Sequence, residues 1–92
     1  MHYLYIIYSK KIDHFYIGES ENPTVRLTQH NNREFKNAFT SQANDWVLKC
    51  SIEFENIIQA RKAEQFVKKM KSRKFNENLI NENRWLVEKF CK

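Results

Sequence analysis

Arg26 and His30 stand four residues apart in "RLTQHN", a spacing that puts both side chains on one face of a helix. A guanidinium can clamp phosphate oxygens two at a time, and an imidazole can take a proton near neutral pH. The same pair suits an ordinary exposed helix face, and the spacing alone does not choose. Gly18 precedes them in "HFYIGE" and is the only glycine of 92 residues, where average usage of about 7% gives roughly six. A glycine at a strand end admits the close approach of another backbone or a ligand, or a positive φ. Glu64 falls at the border of an apolar helical stripe, between Ala60 and Ile57 at 100° per residue. It can face a site across a sheet, or form a helix ion pair with Lys68 worth only about 0.2–0.5 kcal/mol.

Positioning these groups requires a small set of elements. "YLYIIYS" (3–9) is dense in aromatic and β-branched residues and predicts a strand. "KKIDH" is a polar connection and "FYIGE" (15–19) a second strand, so the two make a hairpin. "ENPT" predicts a helix start with Asn22 as N-cap and Pro23 at the first helical position, running to about Asn31. Residues 32–45 show no period and read as a loop. "WVLKCSIEFE" (46–55) alternates Trp46, Leu48, Cys50, Ile52 and Phe54 on one predicted face of a third strand. From Asn56 the pattern turns helical, with Ala60, Ala63, Val67 and Met70 as the stripe and Phe66 beside it. "SRKF" ends that helix, and Asn76 or Asn78 is expected to cap a last one carrying Leu79, Leu86, Val87 and Phe90. The order β-β-α-β-α-α predicts an α+β fold, a three-stranded, mostly antiparallel sheet flanked by helices.

The chain length suits a single domain over 1–92. No run of about 18 apolar residues is present, so no membrane span is expected. The N-terminus lacks the basic leader and cleavage site of a signal peptide. Cys50 and Cys91 have no metal-ligand spacing and are too few for a disulfide framework, which points to a reduced, cytoplasmic setting. Net charge is +5, and the excess concentrates in "RKAEQFVKKMKSRK" (61–74), where Glu64 is the one acid among seven cations. Arg61, Lys68, Lys69, Lys71, Arg73 and Lys74 there would attract a polyanion, or serve as a solvated face.

Taken in order, "YLYII", "FYIG", "RLTQHN", the Trp after the Thr-containing loop in "TSQANDW", "ARKAE" and "SRKFNENLI" resemble the GIY-YIG nuclease family. The similarity runs from about Tyr3 to Ile80 and is nearest to small single-domain bacterial members and related structure-specific and excision-repair endonucleases. The resemblance implies hydrolysis of phosphodiester bonds in DNA with one divalent metal, Mg²⁺ or Mn²⁺. Carried over by position, the hydroxyls of Tyr5 and Tyr16 would lie near the attacking water and the scissile phosphate. Arg26 would stabilise the phosphoryl charge, His30 would be base or orienter, Glu64 would hold the metal, and Gly18 would be the motif glycine. Such chemistry needs a deprotonated nucleophile, a cation on the pentavalent phosphate and a Lewis acid. Whether Tyr5 or His30 is the base stays open, since a free phenol has a pKa near 10 and an imidazole near 6.5.

The chain departs from the family pattern at two places. Tyr3 stands where the first motif has glycine. Glu19 follows "YIG" where some relatives carry Lys, and a carboxylate there repels phosphate unless it points away or helps bind metal. Asn76 matches an Asn or Lys of some relatives. The expected partner is DNA, single-stranded or branched, with RNA open, because a lone nuclease domain has little surface for reading bases. The alternative is a weakly active or inactive nucleic-acid-binding module of the same fold, with Phe35 and Phe39 stacking on bases.

Overall fold

The computed structural model describes residues 1–36 and 38–91; Asn37, within the 32–45 segment, and Lys92 lie outside them. The sheet has the order β2-β1-β3 and is antiparallel throughout. Its strands are β1 (His2–Ser9), β2 (His14–Ser20) and β3 (Val47–Phe54). β1 is central, and its Leu4, Tyr5, Ile6 and Ile7 are all at most 1% exposed. A central strand is covered on both faces, which explains a run of apolar side chains without alternation. Burying each such aliphatic side chain contributes about 1.5–3 kcal/mol.

The helices are α1 (Pro23–Asn31), α2 (Ile57–Met70), α3 (Arg73–Asn81) and α4 (Arg84–Phe90), with a short 3₁₀ turn over Phe39–Gln42. The expected α+β architecture is present. Asn22 caps α1 by accepting from the Val25 amide at 3.2 Å, with Pro23 in its first turn. Asn56 caps α2 in the same way through the Gln59 amide at 2.9 Å. These caps satisfy amides that have no intrahelical partner.

Three details differ from the sequence reading. The terminal helix is two helices, and α3 is capped by Ser72, which accepts from the Phe75 amide at 3.1 Å, in place of Asn76 or Asn78. The break follows from Asn83, whose side-chain amide donates to the Leu79 carbonyl at 2.9 Å and ends α3; Asn competes with the helix ladder for backbone partners. Met70 is 44% exposed and stands outside the buried stripe of Ala60, Ala63 and Val67. It is the last residue of α2, next to Lys71, which turns the chain out at φ 46°.

The third difference shapes the site. Ile6 pairs with Cys50 but Ile7 pairs with Leu48, so Lys49 is an extra residue in β3. This β-bulge shifts the alternation by one. Cys50, Ile52 and Phe54 therefore join Leu4, Ile6, Ile17, Ala63 and Leu86 under the long helices. Leu48 and Trp46 pack on the opposite face with Tyr5, Ile7, Tyr16 and Leu27. The expected single face of β3 is thus divided between two clusters.

Candidate active site

Tyr5 of β1 is the cross-strand partner of Gly18 in β2. The phenol ring lies directly over that glycine: a Cβ at position 18 would fall 2.5 Å from Tyr5 Cζ and nearer still to the hydroxyl. Gly18 has no positive φ, so close approach, and not backbone conformation, requires glycine. With the ring seated there, the Tyr5 hydroxyl is 2.9 Å from His30 Nε2. His30 projects inward from α1 and is 3% exposed. Its other nitrogen, Nδ1, is 2.7 Å from Thr40 Oγ1. Tyr16 sets its ring edge toward the His30 ring, with centroids 5.4 Å apart.

Arg26, one turn before His30, rests its guanidinium 5.3 Å above the Phe35 ring, which in turn packs 5.0 Å from His30. Its positive charge acts on both groups. The Tyr5 phenol is pushed above its ordinary range by burial first, then by Tyr16, Glu64 and Glu19, with Arg26 opposing. Burial, helped by Arg26, lowers His30 to about 4, so its imidazole is neutral at pH 7. Phe35 is consequently occupied with His30 and Arg26, while Phe39 keeps 38% of its surface exposed and meets His14 and Trp46.

Glu64 and Lys68 reach this face from α2. Glu64 Oε2 accepts from Lys68 Nζ at 3.0 Å, and the same ammonium lies 5.4 Å from the Tyr16 ring centroid. Glu64 forms the helix pair, and its negative charge is one of the smaller influences that raise the Tyr5 phenol. No cluster of three or more His, Cys, Asp or Glu forms among the described residues. Glu64, half-buried with one oxygen turned to a displaceable ammonium, nonetheless suits a cation held by one carboxylate. Mg²⁺ typically keeps several waters and binds through one or two carboxylates plus substrate phosphates.

Glu19 pairs in register with Leu4 and so leaves β2 on the face opposite Gly18. Its carboxylate lies 3.5 Å from Arg61 Nε and 3.6 Å from His2 Nε2, and Oε2 is buried with no hydrogen-bond partner among the described residues. The carboxylate that follows "YIG" therefore points away from Tyr5 and draws Arg61 to itself. A cleft of about 430 Å³ opens beside it, lined by Arg26, Gln29 and Arg61 among others.

The remaining cations divide into two groups. Arg73 is anchored by two bonds to Asp13, at 2.7 and 3.0 Å, which latch the start of α3 onto the β1–β2 turn. That contact holds the Asp13 carboxyl well below the usual range. Among the described residues no ion pair engages Lys69, Lys71 or Lys74, and all three are exposed. Asn76 lies with Lys71 and Arg73 in a separate cleft of about 340 Å³.

Two residues that the sequence did not single out hold the loop against the site. Asn31 mimics a strand: its Oδ1 accepts from the Trp46 amide at 2.7 Å and its Nδ2 donates to the Trp46 carbonyl at 3.0 Å. Trp46 Nε1 donates to the Thr40 carbonyl at 2.9 Å, which seats Thr40 on His30. An Asn closing a helix and a Thr in a segment without period carry no local signal. The family model of the GIY-YIG catalytic domain matches residues 1–78. No curated protein matches the chain, and no solved structure does.

Proposed function

The chain belongs to the GIY-YIG family, and from that premise we propose a divalent-metal-dependent endonuclease that hydrolyses DNA phosphodiester bonds, preferring single-stranded or branched substrates. Membership by itself carries nuclease-type function, nucleic acid as partner and the divalent-metal use common in the family. The observation that carries the finer reading is the convergence of Tyr5, Tyr16 and His30, with the charges of Arg26 and Glu64 both acting at the Tyr5 hydroxyl.

In this reading the Tyr5–His30 pair orients the attacking water, and Tyr16 offers its hydroxyl to the same phosphate. Arg26 stabilises the charge that grows on the phosphoryl oxygens; its seat on Phe35 fixes that donor in advance, which is where electrostatic catalysis gains most. Glu64 holds the cation, Mg²⁺ or Mn²⁺, which supplies Lewis acidity when bound. Lys68 must then release Glu64, and the released ammonium is free to meet the strand. A cytoplasmic setting agrees with Cys50 and Cys91 as free thiols.

The rival reading, a binding module of the same fold, takes its support from Lys68, which occupies the carboxylate a metal requires. Labelled single-stranded, duplex, flap and junction DNA, with matching RNA, should be incubated with Mg²⁺, with Mn²⁺ and with EDTA. EDTA-sensitive cleavage, strongest on single-stranded or branched DNA, is the expected result. Retardation of the same substrates without cleavage under any metal would leave the binding module.

A further inference from the structure

Resting on nucleic acid as the substrate of the proposed site, we propose that the groove between α2 and α4 is a second nucleic-acid site. It takes an unpaired, single-stranded arm of the substrate, led around α2 from the hydrolytic residues. Two clefts of about 320 and 470 Å³ open there and share Lys62, Lys89 and Phe90, with Phe66 and Lys69 lining the first. Among the described residues, every charged side chain that lines them is a lysine; Glu88, the one acid of α4, lines neither. The cleft beside Arg26, by contrast, is lined by Glu19 and Glu21 as well as by arginines. Lysines without acids favour a polyanion. α4 lies beyond the residues 1–78 that match the catalytic-domain model, so this wall adds to the part of the chain that carries the family's reaction.

The aromatic side chains narrow the polyanion to one with accessible bases. Phe66 and Phe90 are half-buried with ring centroids 5.7 Å apart, and the Lys89 ammonium lies 5.2 Å from the first and 5.7 Å from the second. A ring face that accepts an ammonium also accepts a base, and the ammonium it displaces can turn to a phosphate. Trp85, one turn before Lys89 on the same face of α4, is 40% exposed and packs its ring 6.3 Å from that of Phe66. Duplex bases are stacked on one another and cannot lie on these rings, whereas those of a single strand can. The path from the hydrolytic site is laid out on α2. Going round the helix from Glu64 at about 100° per residue, Lys68, Lys69 and Lys62 fall at about 40°, 140° and 160°, and Phe66 follows at about 200°. Ala63, Val67 and Ala60, which face the core, take up the rest of the turn. The solvent side of α2 therefore leads from Glu64 across lysines to the aromatic rings.

Oligothymidylates of about 4–16 nucleotides, the range of single-strand site sizes, are titrated in EDTA, so that nothing is cut. Fluorescence anisotropy of end-labelled strands gives the affinity. With unlabelled strands, tryptophan emission reports Trp85, since Trp46 is 2% exposed, and Trp85→Phe should abolish the response. Affinity should rise with length, and the longer strands should quench Trp85 while a duplex of equal length does not. Lys62→Gln together with Lys89→Gln should leave the shortest strand bound as before and weaken the longest. The same pair should flatten log K against log salt by about 1.4 for the longest strand, or about 0.7 for each single-strand phosphate. Phe90→Leu, which keeps the apolar packing, should weaken the longest strand about tenfold without changing that slope, and Phe90→Tyr should restore it. Unchanged affinity for the longest strand in both the lysine and the leucine variants overturns the inference. So does a flattened slope with no Trp85 quench and no effect of Phe90→Leu, which would make the groove a surface for any polyanion. Polyglutamate bound by the parent as tightly as the longest strand also overturns it, in favour of an acidic protein partner. If Phe90→Leu does not fold, the lysine variant and the Trp85 signal decide. Cleavage is measured apart, with Mg²⁺. A parent that binds as expected but cuts nothing refutes the nuclease reading and keeps the groove, whereas one that cuts but fails these titrations refutes the groove alone.

Discussion

Gly18→Ala is the smallest change that reaches the centre of the site, and its cost can be worked from the packing. The added Cβ would lie 2.5 Å from Tyr5 Cζ and 2.9 Å from Cε2, against about 3.5–4.0 Å for ordinary carbon contact. The ring must retreat by about 1 Å. A shift of that size cannot keep the hydroxyl in its 2.9 Å contact with His30, because distance and angle both have narrow favourable ranges. Forced repacking costs about 1–3 kcal/mol and the weakened bond about 0.5–1.5 kcal/mol, so the variant should lose about 1.5–4.5 kcal/mol in all, centred at about 3 kcal/mol. With a urea m-value of about 2 kcal/mol/M, the middle of the range for small proteins, equilibrium unfolding at pH 7 should show a midpoint lower by about 1–2 M. Cleavage should fall further than stability explains, because a displacement of about 1 Å in a reacting group can cost about a hundredfold. Glu53→Ala, an exposed site on β3, serves as control. A Gly18→Ala protein within about 0.5 kcal/mol of the parent, with the Tyr5–His30 bond intact, would refute the close-contact account of the glycine.

Two further outcomes follow from the charges. His30 titrates at about 4 in the fold against 6.5 when free, so the unfolded chain binds more protons between these values. Its contribution is complete above about pH 6.5 and is lost as pH falls toward 4. Urea midpoints of the parent should decline across that window, those of His30→Asn should decline much less, and equal slopes would remove His30 as the cause. Replacing Lys69, Lys71 and Lys74 together with Gln should weaken DNA binding for every sequence. It should also flatten log K against log salt by about 0.9 for each duplex phosphate no longer neutralised, whereas an unchanged slope would assign these lysines to solubility.

What the sequence disclosed was local in origin. Asn22 and Pro23 announce the start of α1 because a cap and a fixed φ act within a few residues. The spacing of Arg26 and His30 implied a shared face for the same reason. The role of Gly18 was half legible: close approach was one of two readings, and only the register with Tyr5 selects it. The face of Trp46 and Leu48 was misread because the bulge at Lys49 is a property of pairing with β1, not of the β3 sequence. The split between α3 and α4 escaped notice since no Gly or Pro marks it, and a side-chain bond from Asn83 makes the break. Thr40 was legible only as the threonine of the "TSQANDW" loop, because its contacts are with His30 and Trp46, which reach it from α1 and the edge of β3. Glu19 could be framed as a question but not answered, as the answer depends on which sheet face its strand register assigns it.

The central claim, that hydrolysis depends on a cation held by Glu64 beside Tyr5, is tested most directly by comparing the parent with Glu64→Ala on one labelled branched DNA, with binding and cleavage measured in the same Mg²⁺ buffer. The substitution removes the metal's carboxylate and a negative charge from a surface that meets phosphate, while Arg26 and the exposed lysines stay in place. Loss of the Lys68 pair itself is worth only about 0.2–0.5 kcal/mol, so the variant should remain folded. Binding should persist or tighten while cleavage falls by orders of magnitude, as expected when an interaction made in the transition state is removed. A Glu64→Ala protein that cuts this DNA as fast as the parent would contradict the account.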